Sequence, residues 1–247
     1  MWYPRGMNTF RAGLIIILII VVTIMMSFAF FNLPKTIWLI ASVSPYEQSG
    51  TGAGRILVLG DSTGYGTGAS TSAQSVAGRM GADYPGFQII NDSVNGRLIS
   101  DLASVAETVS GQHNLILLQI GANDILQKRD LETVRAELEA AIAQLETHTS
   151  HIIMLSSGNV GSSPAFTGDK AQEYESLSRA FIAMYHEVAD SSTALIYIDL
   201  FRERSDDPFV INPQKYMAWD GLHPTGAGYQ YWYDALKPAL VETLGIK

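Results

Sequence analysis

The sequence predicts an α/β domain, a three-layer sandwich around a five-stranded parallel sheet. Three observations carry that expectation. Five short runs, residues 55–59, 87–91, 115–120, 151–155 and 194–198, are nearly all apolar, as strands buried on both faces must be. Between them apolar residues recur every three or four positions, the helical period. The strand and helix patterns alternate, which builds parallel sheets through right-handed crossovers. Short connections then favour the flavodoxin-like strand order 2-1-3-4-5.

Taken in order, residues 44–54 are rich in Ser, Gly, Pro and Thr and read as a linker. The first strand runs straight into Gly60, Asp61 and Ser62, a tight turn, and Gly64, Gly66 and Gly68 make a loose loop. Residues 73–81 form a short helix. The second strand follows, then the turn Ser93-Val94-Asn95-Gly96. Leu98, Leu102, Val105 and Val109 mark a helix over 98–109. The third strand ends in Gly121-Ala122-Asn123-Asp124. An amphipathic helix carries Leu131, Val134, Leu138, Ile142 and Leu145. After the fourth strand, residues 159–170 read as a polar, mobile loop. Tyr174, Leu177, Phe181, Met184 and Val188 mark the next helix, and these stripes are core rather than cofactor box. A long connection over 201–219 follows the fifth strand, and the last helix begins near Thr225.

The 247 residues suffice for one such domain with a sizeable core. The first 46 residues hold Arg5, Arg11 and Lys35 and no acid, leaving 13 bases against 24 acids, a net charge of −11, for the rest. A domain so acidic, with no basic stripe, is not a nucleic-acid binder. The absence of cysteine excludes disulfides, thiol catalysis and thiolate metal sites.

Residues 12–34 form a 23-residue stretch without a charge. About 20 apolar residues span a bilayer as a helix, and this stretch has no polar face. Ser27-Phe28-Ala29 is a weak small-x-small cleavage site, but the apolar run continues into Phe30-Phe31, which favours an uncleaved anchor. Arg5 and Arg11 precede the span, and the positive-inside bias places the following domain on the extracytoplasmic side. The expected organisation is a tail (1–11), a transmembrane helix (12–34), an interfacial segment and linker (35–54) and one folded domain (55–247). Its partners would be the membrane, through that helix, and a small-molecule or lipid substrate.

The chemistry concentrates on the rim formed by the carboxyl ends of the strands, where open α/β sheets bind their ligands. A lone Gly-Asp-Ser is most simply a helix cap. At the far end of the chain, however, Asp220 and His223 sit three residues apart, close enough to share a turn. Ser62, His223 and Asp220 make a nucleophile, a base and an orienting acid. His113, His148, His151 and His186 lie at helix or strand borders and read as surface or packing residues. The developing oxyanion would be met by the backbone N–H groups of Ser62 and Gly96 and by the side-chain amide of Asn123. Asn95-Gly96 alone reads as a plain turn, and Asp124 as a cap. Phe166, Phe209, Tyr216, Met217 and Trp219 present apolar or stacking surface to an acyl chain or a sugar ring. No phosphate-loop lysine and no His-x-x-x-His pair is present, so neither cofactor nor metal is expected.

Gly60-Asp61-Ser62, Gly96, Gly121-Ala122-Asn123-Asp124 and Asp220-Gly221-Leu222-His223-Pro224 together resemble the four motif blocks of the SGNH/GDSL hydrolase family, in the right order and from residue 55 onward. The blocks around Leu59–Ser62 and Gln119–Asp124 are most similar to the acyl thioesterase and lysophospholipase branch; Thr63 departs from the leucine expected there. The resemblance implies a metal-independent esterase or lipase, with Ser62 as nucleophile, Gly96 and Asn123 as oxyanion donors and Asp220 and His223 as partners. The implied substrates are acyl esters, lysophospholipids or thioesters; an O-acetyl esterase acting on cell-envelope glycans is the alternative. Gly60-x-Ser62-x-Gly64 also matches the nucleophile elbow of α/β-hydrolases, but those enzymes need several strands upstream of the serine, where this chain has linker and span. A non-catalytic, membrane-tethered binding module would use residues 62–67 to cradle a phosphate, and would leave Asp220-Gly221-Leu222-His223-Pro224 without a role.

Overall fold

In the computed structural model, the structure describes residues 39–245. Residues 39–41 are helical, and from Ser42 the chain forms a compact unit of its own. Its sheet is made of β1 (Gly54–Gly60), β2 (Phe87–Ser93), β3 (Leu115–Gln119), β4 (Ile152–Leu155) and β5 (Leu195–Ile198), in the order β2-β1-β3-β4-β5. All four pairings are parallel, with Val58 beside Asn91 and Leu117, Leu117 beside Ile153, and Ile153 beside Ile196. The expected order 2-1-3-4-5 is the one observed.

Residues alternate between the two faces of a strand, and in the central strands β1, β3 and β4 both faces are buried. Leu57, Leu59, Ile116, Leu118, Ile152 and Met154 point to one side. They pack there against α3 (Leu102–Ala106), α5 (Leu131–Leu145) and α6 (Gly168–Ser191). Ile56, Val58, Leu115, Leu117, Ile153 and Leu155 meet α2 (Val76–Asp83) and α9 (Gly226–Leu244) on the other. Each such side chain stabilises the fold by about 1.5–3 kcal/mol of apolar burial. Four short helices line the rim: α1 (Ser62–Tyr65), α4 (Ala122–Leu126), α7 (Pro208–Ile211) and α8 (Pro213–Tyr216).

Four expectations change. The stretch 44–54 is not a free linker. Gln48 exchanges backbone hydrogen bonds with Ile89 (3.0 and 2.9 Å), Thr51 and Ala53 donate to Gly86, and the Gln48 amide donates to Phe87 O (2.8 Å). These bonds cover the exposed edge of β2, which would otherwise present unpaired groups. The helix expected over 98–109 is a 3-10 turn, Ile99–Asp101, followed by the five residues of α3, because Asp101 turns back to accept the Leu98 N–H (2.9 Å). The loop expected over 159–170 is packed in its first half. Val160 to Ser163 are buried, Ser178 Oγ accepts the Val160 N–H (3.0 Å), and α6 already begins at Gly168. Ser75 caps α2 one turn into the segment read as helix, accepting from Gly78 N at 3.0 Å.

Among the described residues no helix is long and apolar enough to cross a membrane. The expected span 12–34 lies outside the described residues.

Candidate active site

The site starts at the carboxyl end of β1. Asp61 caps α1: its N–H donates to Gln119 O (3.0 Å), and its Oδ1 accepts both the N–H and the hydroxyl of Thr63, each at 2.8 Å. This fixes Ser62 as the first residue of a helical turn, a position whose backbone N–H has no intrahelical acceptor. The turn lies directly on the sheet. A Cβ on Gly64 would stand 2.5 Å from Ser93 Oγ, so a larger residue there would push the Ser93 hydroxyl aside. From below, the Gln119 amide donates to Thr63 O and the Asn91 amide to Gly64 O, both at 3.0 Å. Asp61 is fully buried and its Oδ2 has no partner. Burial pushes its carboxyl up to about 6, against the opposing hydrogen bonds from Thr63 and the charge of His223.

Asp220 and His223 lie on a ribbon outside the sheet. Ala218 N donates to His223 O (2.8 Å) and Thr225 N to Tyr216 O (2.9 Å), closing a loop around residues 219–222. Asp220 fastens that loop from within: its Oδ1 accepts the N–H groups of Leu222 (3.0 Å) and His223 (3.1 Å). Its Oδ2 lies 2.6 Å from His223 Nδ1, and His223 Nε2 lies 3.0 Å from Ser62 Oγ. Burial alone would raise the Asp220 carboxyl. The hydrogen bond and charge of His223, with the two N–H donors, outweigh it and hold the group below the ordinary carboxylate range. The Nδ1 contact to a carboxylate assigns the proton to Nδ1 and leaves Nε2 to accept from Ser62.

The oxyanion candidates flank this line. Val94 to Arg97 form a turn closed by Arg97 N on Val94 O (3.1 Å), with Gly96 at φ +84°. Positive φ at the third position alone is a type II turn, which requires glycine there. Asn123, in the first turn of α4, donates through Nδ2 to Arg97 O at 3.1 Å, placing its amide beside the Gly96 turn. Val94 N in turn donates to Gly60 O (2.9 Å). Ser62, Gly96 and Asn123 thus stand on three adjacent segments of one rim. Asp124 does not cap its own helix. It is fully buried, accepts the Ile99 N–H (3.2 Å) and pairs with Arg129 (2.9 Å), which also grips Glu137. Burial still raises its carboxyl above the ordinary range.

The five apolar candidates divide. Phe209 is buried in the core, its ring 5.6 Å from Tyr216 and 6.0 Å from both Tyr231 and Trp232; it packs beneath α9 and does not offer a face to an acyl chain. Asp207 accepts the Phe209 N–H (2.9 Å), capping the short helix that carries it. Tyr216 lines a surface groove of about 550 Å³ with Arg79, Gln230 and Tyr231. Met217 packs partly against the same core, and Phe166 rests on Tyr174, centroids 4.5 Å apart. Trp219, half exposed, adjoins Asp220. Among the other histidines, His148 contacts Gly111 O through Nδ1 (3.1 Å) and His186 contacts Asp199 (3.1 Å). His113 is buried, and that burial lowers its pKa. Sequence reasoning missed the braces: Asn91 and Gln119 reach the serine turn from strands distant in sequence, and the Thr67 hydroxyl reaches Asn95 across 28 residues. Among the described residues no group of three or more His, Asp or Glu is placed to hold a metal ion.

A doubly wound parallel sheet carrying serine, histidine and aspartate in hydrogen-bonded series on its carboxyl rim has the make-up of a hydrolase. The sequence matches the GDSL-like lipase/acylhydrolase family over residues 58–231, and the chain belongs to that family; it is a carboxylic ester hydrolase. Among solved structures it resembles a lipolytic G-D-S-L protein of Veillonella parvula, with 20% identity and a TM-score of 0.60, over 76% of this chain and 98% of that one. A catalytic mutant of an acetylxylan esterase from Geobacillus stearothermophilus gives 17% identity and a TM-score of 0.56, over 81% and 98% of the two chains. The protein TesA gives 18% identity and a TM-score of 0.58, over 76% and 99%. At these identities the likeness is one of fold. No curated protein matches the sequence.

Proposed function

We propose that the domain cleaves carboxylic esters through an acyl-enzyme on Ser62. The observation that carries this reading is the unbroken series Ser62 Oγ, His223 Nε2 (3.0 Å), His223 Nδ1 and Asp220 Oδ2 (2.6 Å). Ser62 Oγ attacks the ester carbonyl and its proton passes to His223 Nε2; Asp220 balances the imidazolium. Negative charge on the carbonyl oxygen is met by the N–H groups of Ser62 and Gly96 and by the second N–H of the Asn123 amide. Collapse expels the alcohol or thiol, which takes the proton from His223. Water, deprotonated by the same histidine, then releases the acid and restores Ser62. No step calls on a metal.

The substrates proposed are acyl esters, lysophospholipids or thioesters. Half-exposed Trp219 beside Asp220 and partly buried Phe166 supply apolar surface near the site. The catalytic domain is proposed to work on the extracytoplasmic side of a membrane, held by residues 12–34, a reading that rests on their uncharged sequence. The test of the chemistry is a fluorophosphonate adduct mapped by mass spectrometry. Labelling of Ser62 together with loss of esterase activity is expected. An adduct elsewhere, or full activity in Ser62→Ala, overturns it.

A further inference from the structure

We infer that Thr67 is a positioning residue that sets the direction of the Gly96 N–H by holding the apex of the Val94–Arg97 turn. The inference rests on the proposed role of Ser62 and Gly96, and adds a residue that neither the motif blocks nor the triad includes.

Thr67 is fully buried, and each of its polar groups is committed to a different part of the site. Its N–H donates to Ser62 O at 3.0 Å, tying it to the nucleophile. Its carbonyl accepts the Tyr229 hydroxyl at 2.7 Å, tying it to α9. Its hydroxyl donates to Asn95 Oδ1 at 2.7 Å, across 28 residues. That last bond reaches the second residue of the turn.

The ends of the turn have other anchors. Val94 N donates to Gly60 O (2.9 Å), and Arg97 O accepts from Asn123 (3.1 Å). Neither acts on the peptide between Asn95 and Gly96, which carries the N–H proposed to meet the oxyanion. Type I and type II turns share their end positions and differ by a flip of this central peptide, which reverses the direction of its N–H. Gly96 tolerates both signs of φ, and a Cβ there would meet nothing within 4 Å, so packing does not choose between them. The Thr67–Asn95 hydrogen bond grips the residue on one side of that peptide and refers it to Ser62 through the Thr67 main chain. A donor aimed in advance is what stabilises a developing oxyanion.

The experiment compares Thr67→Val, which keeps the shape and removes the hydroxyl, Thr67→Ser, which keeps the hydroxyl, Asn95→Ala, and the Thr67→Val/Asn95→Ala pair, using the full chain and a short soluble ester. Asn95 is partly exposed, so its variant tests the same bond where a change at buried Thr67 disturbs folding. Expected are a kcat lowered about tenfold or more in Thr67→Val and Asn95→Ala with KM within about twofold, and recovery of most of the rate in Thr67→Ser. The double variant should be no slower than the slower single one, because both remove one interaction. A folded Thr67→Val with wild-type kcat, or losses that multiply in the double variant, overturns the inference while Ser62→Ala remains inactive. Activity retained in Ser62→Ala overturns the reading of the site, and this inference with it.

Discussion

Asp61 is the residue whose removal of charge has the most legible consequence. Its carboxyl is fully buried, with Oδ1 occupied by Thr63 and Oδ2 unpartnered. Burial raises its pKa from 3.8 to about 6, with the charge of Asp124 adding to the rise and that of His223 opposing it. A raised value in the folded state means that the folded chain holds its proton more tightly than the unfolded one. The associated stability is fully present below 3.8 and is lost as pH rises through about 6. At roughly 1.4 kcal/mol per pH unit the loss is about 3 kcal/mol. Asp61→Asn keeps an Oδ1 acceptor for Thr63 and removes the charge. Any fixed cost of its new amide group cancels when the offset between variant and wild type is followed across pH. That offset should move in the variant's favour by about 2.5 kcal/mol between pH 4 and pH 7.5, or about 5–10 °C in Tm for a domain of about 200 residues. Urea titrations followed by circular dichroism at half-unit steps of pH would measure it. An offset that stays constant across the range refutes the claim that this carboxyl is ionised against its surroundings.

The oxyanion and membrane readings have their own tests. Asn123→Ala should lower kcat roughly a hundredfold or more with folding intact, as expected for loss of one oxyanion donor, and steady-state kinetics beside a thermal melt would check it. If residues 12–34 are an uncleaved anchor, the protein keeps its N-terminal sequence and stays in the membrane fraction after alkaline wash; a soluble product beginning near Phe30 would mean that the stretch is a signal peptide.

The centre of the sheet is legible in the sequence because parallel strands covered on both faces have no polar alternation to obscure them. Leu115 to Leu118 are all fully buried, and the plain apolar run says as much. The Asp220–His223 pair is legible for a different reason: its three-residue spacing lets one carboxylate reach both its own turn and the imidazole. Other features depend on partners far away in sequence. Asp124 looks like a local cap, but its acceptor role is filled by Ile99, 25 residues earlier, and by Arg129. Residues 159–170 look mobile because they are polar, yet Ser163 Oγ reaches Gly221 O and Val160 N reaches Ser178, so polarity there marks buried hydrogen bonding. Phe209 looks like a substrate wall because it is aromatic in a connection, but its ring packs into the core against Tyr216 and Trp232 from the far end of the chain.

The same contrast explains how the site is built. Ser62 is placed by the sheet: β1 delivers it, and Asn91 from β2 and Gln119 from β3 hold its helical turn from below. His223 receives no support from a strand of the sheet, and its position rests on the 216–225 ribbon and on Asp220. That one carboxylate has two tasks, since Oδ1 shapes the backbone that presents the histidine while Oδ2 orients its ring. Asn at 220 would keep the first and lose the second, whereas Ala would lose both. The ribbon is held in turn by the loop after β4, where the Ser163 hydroxyl and the Ala165 N–H both donate to Gly221 O. The segment that looks most like a free loop in the sequence, buried over 160–163, thus supports the turn that carries Asp220 and His223.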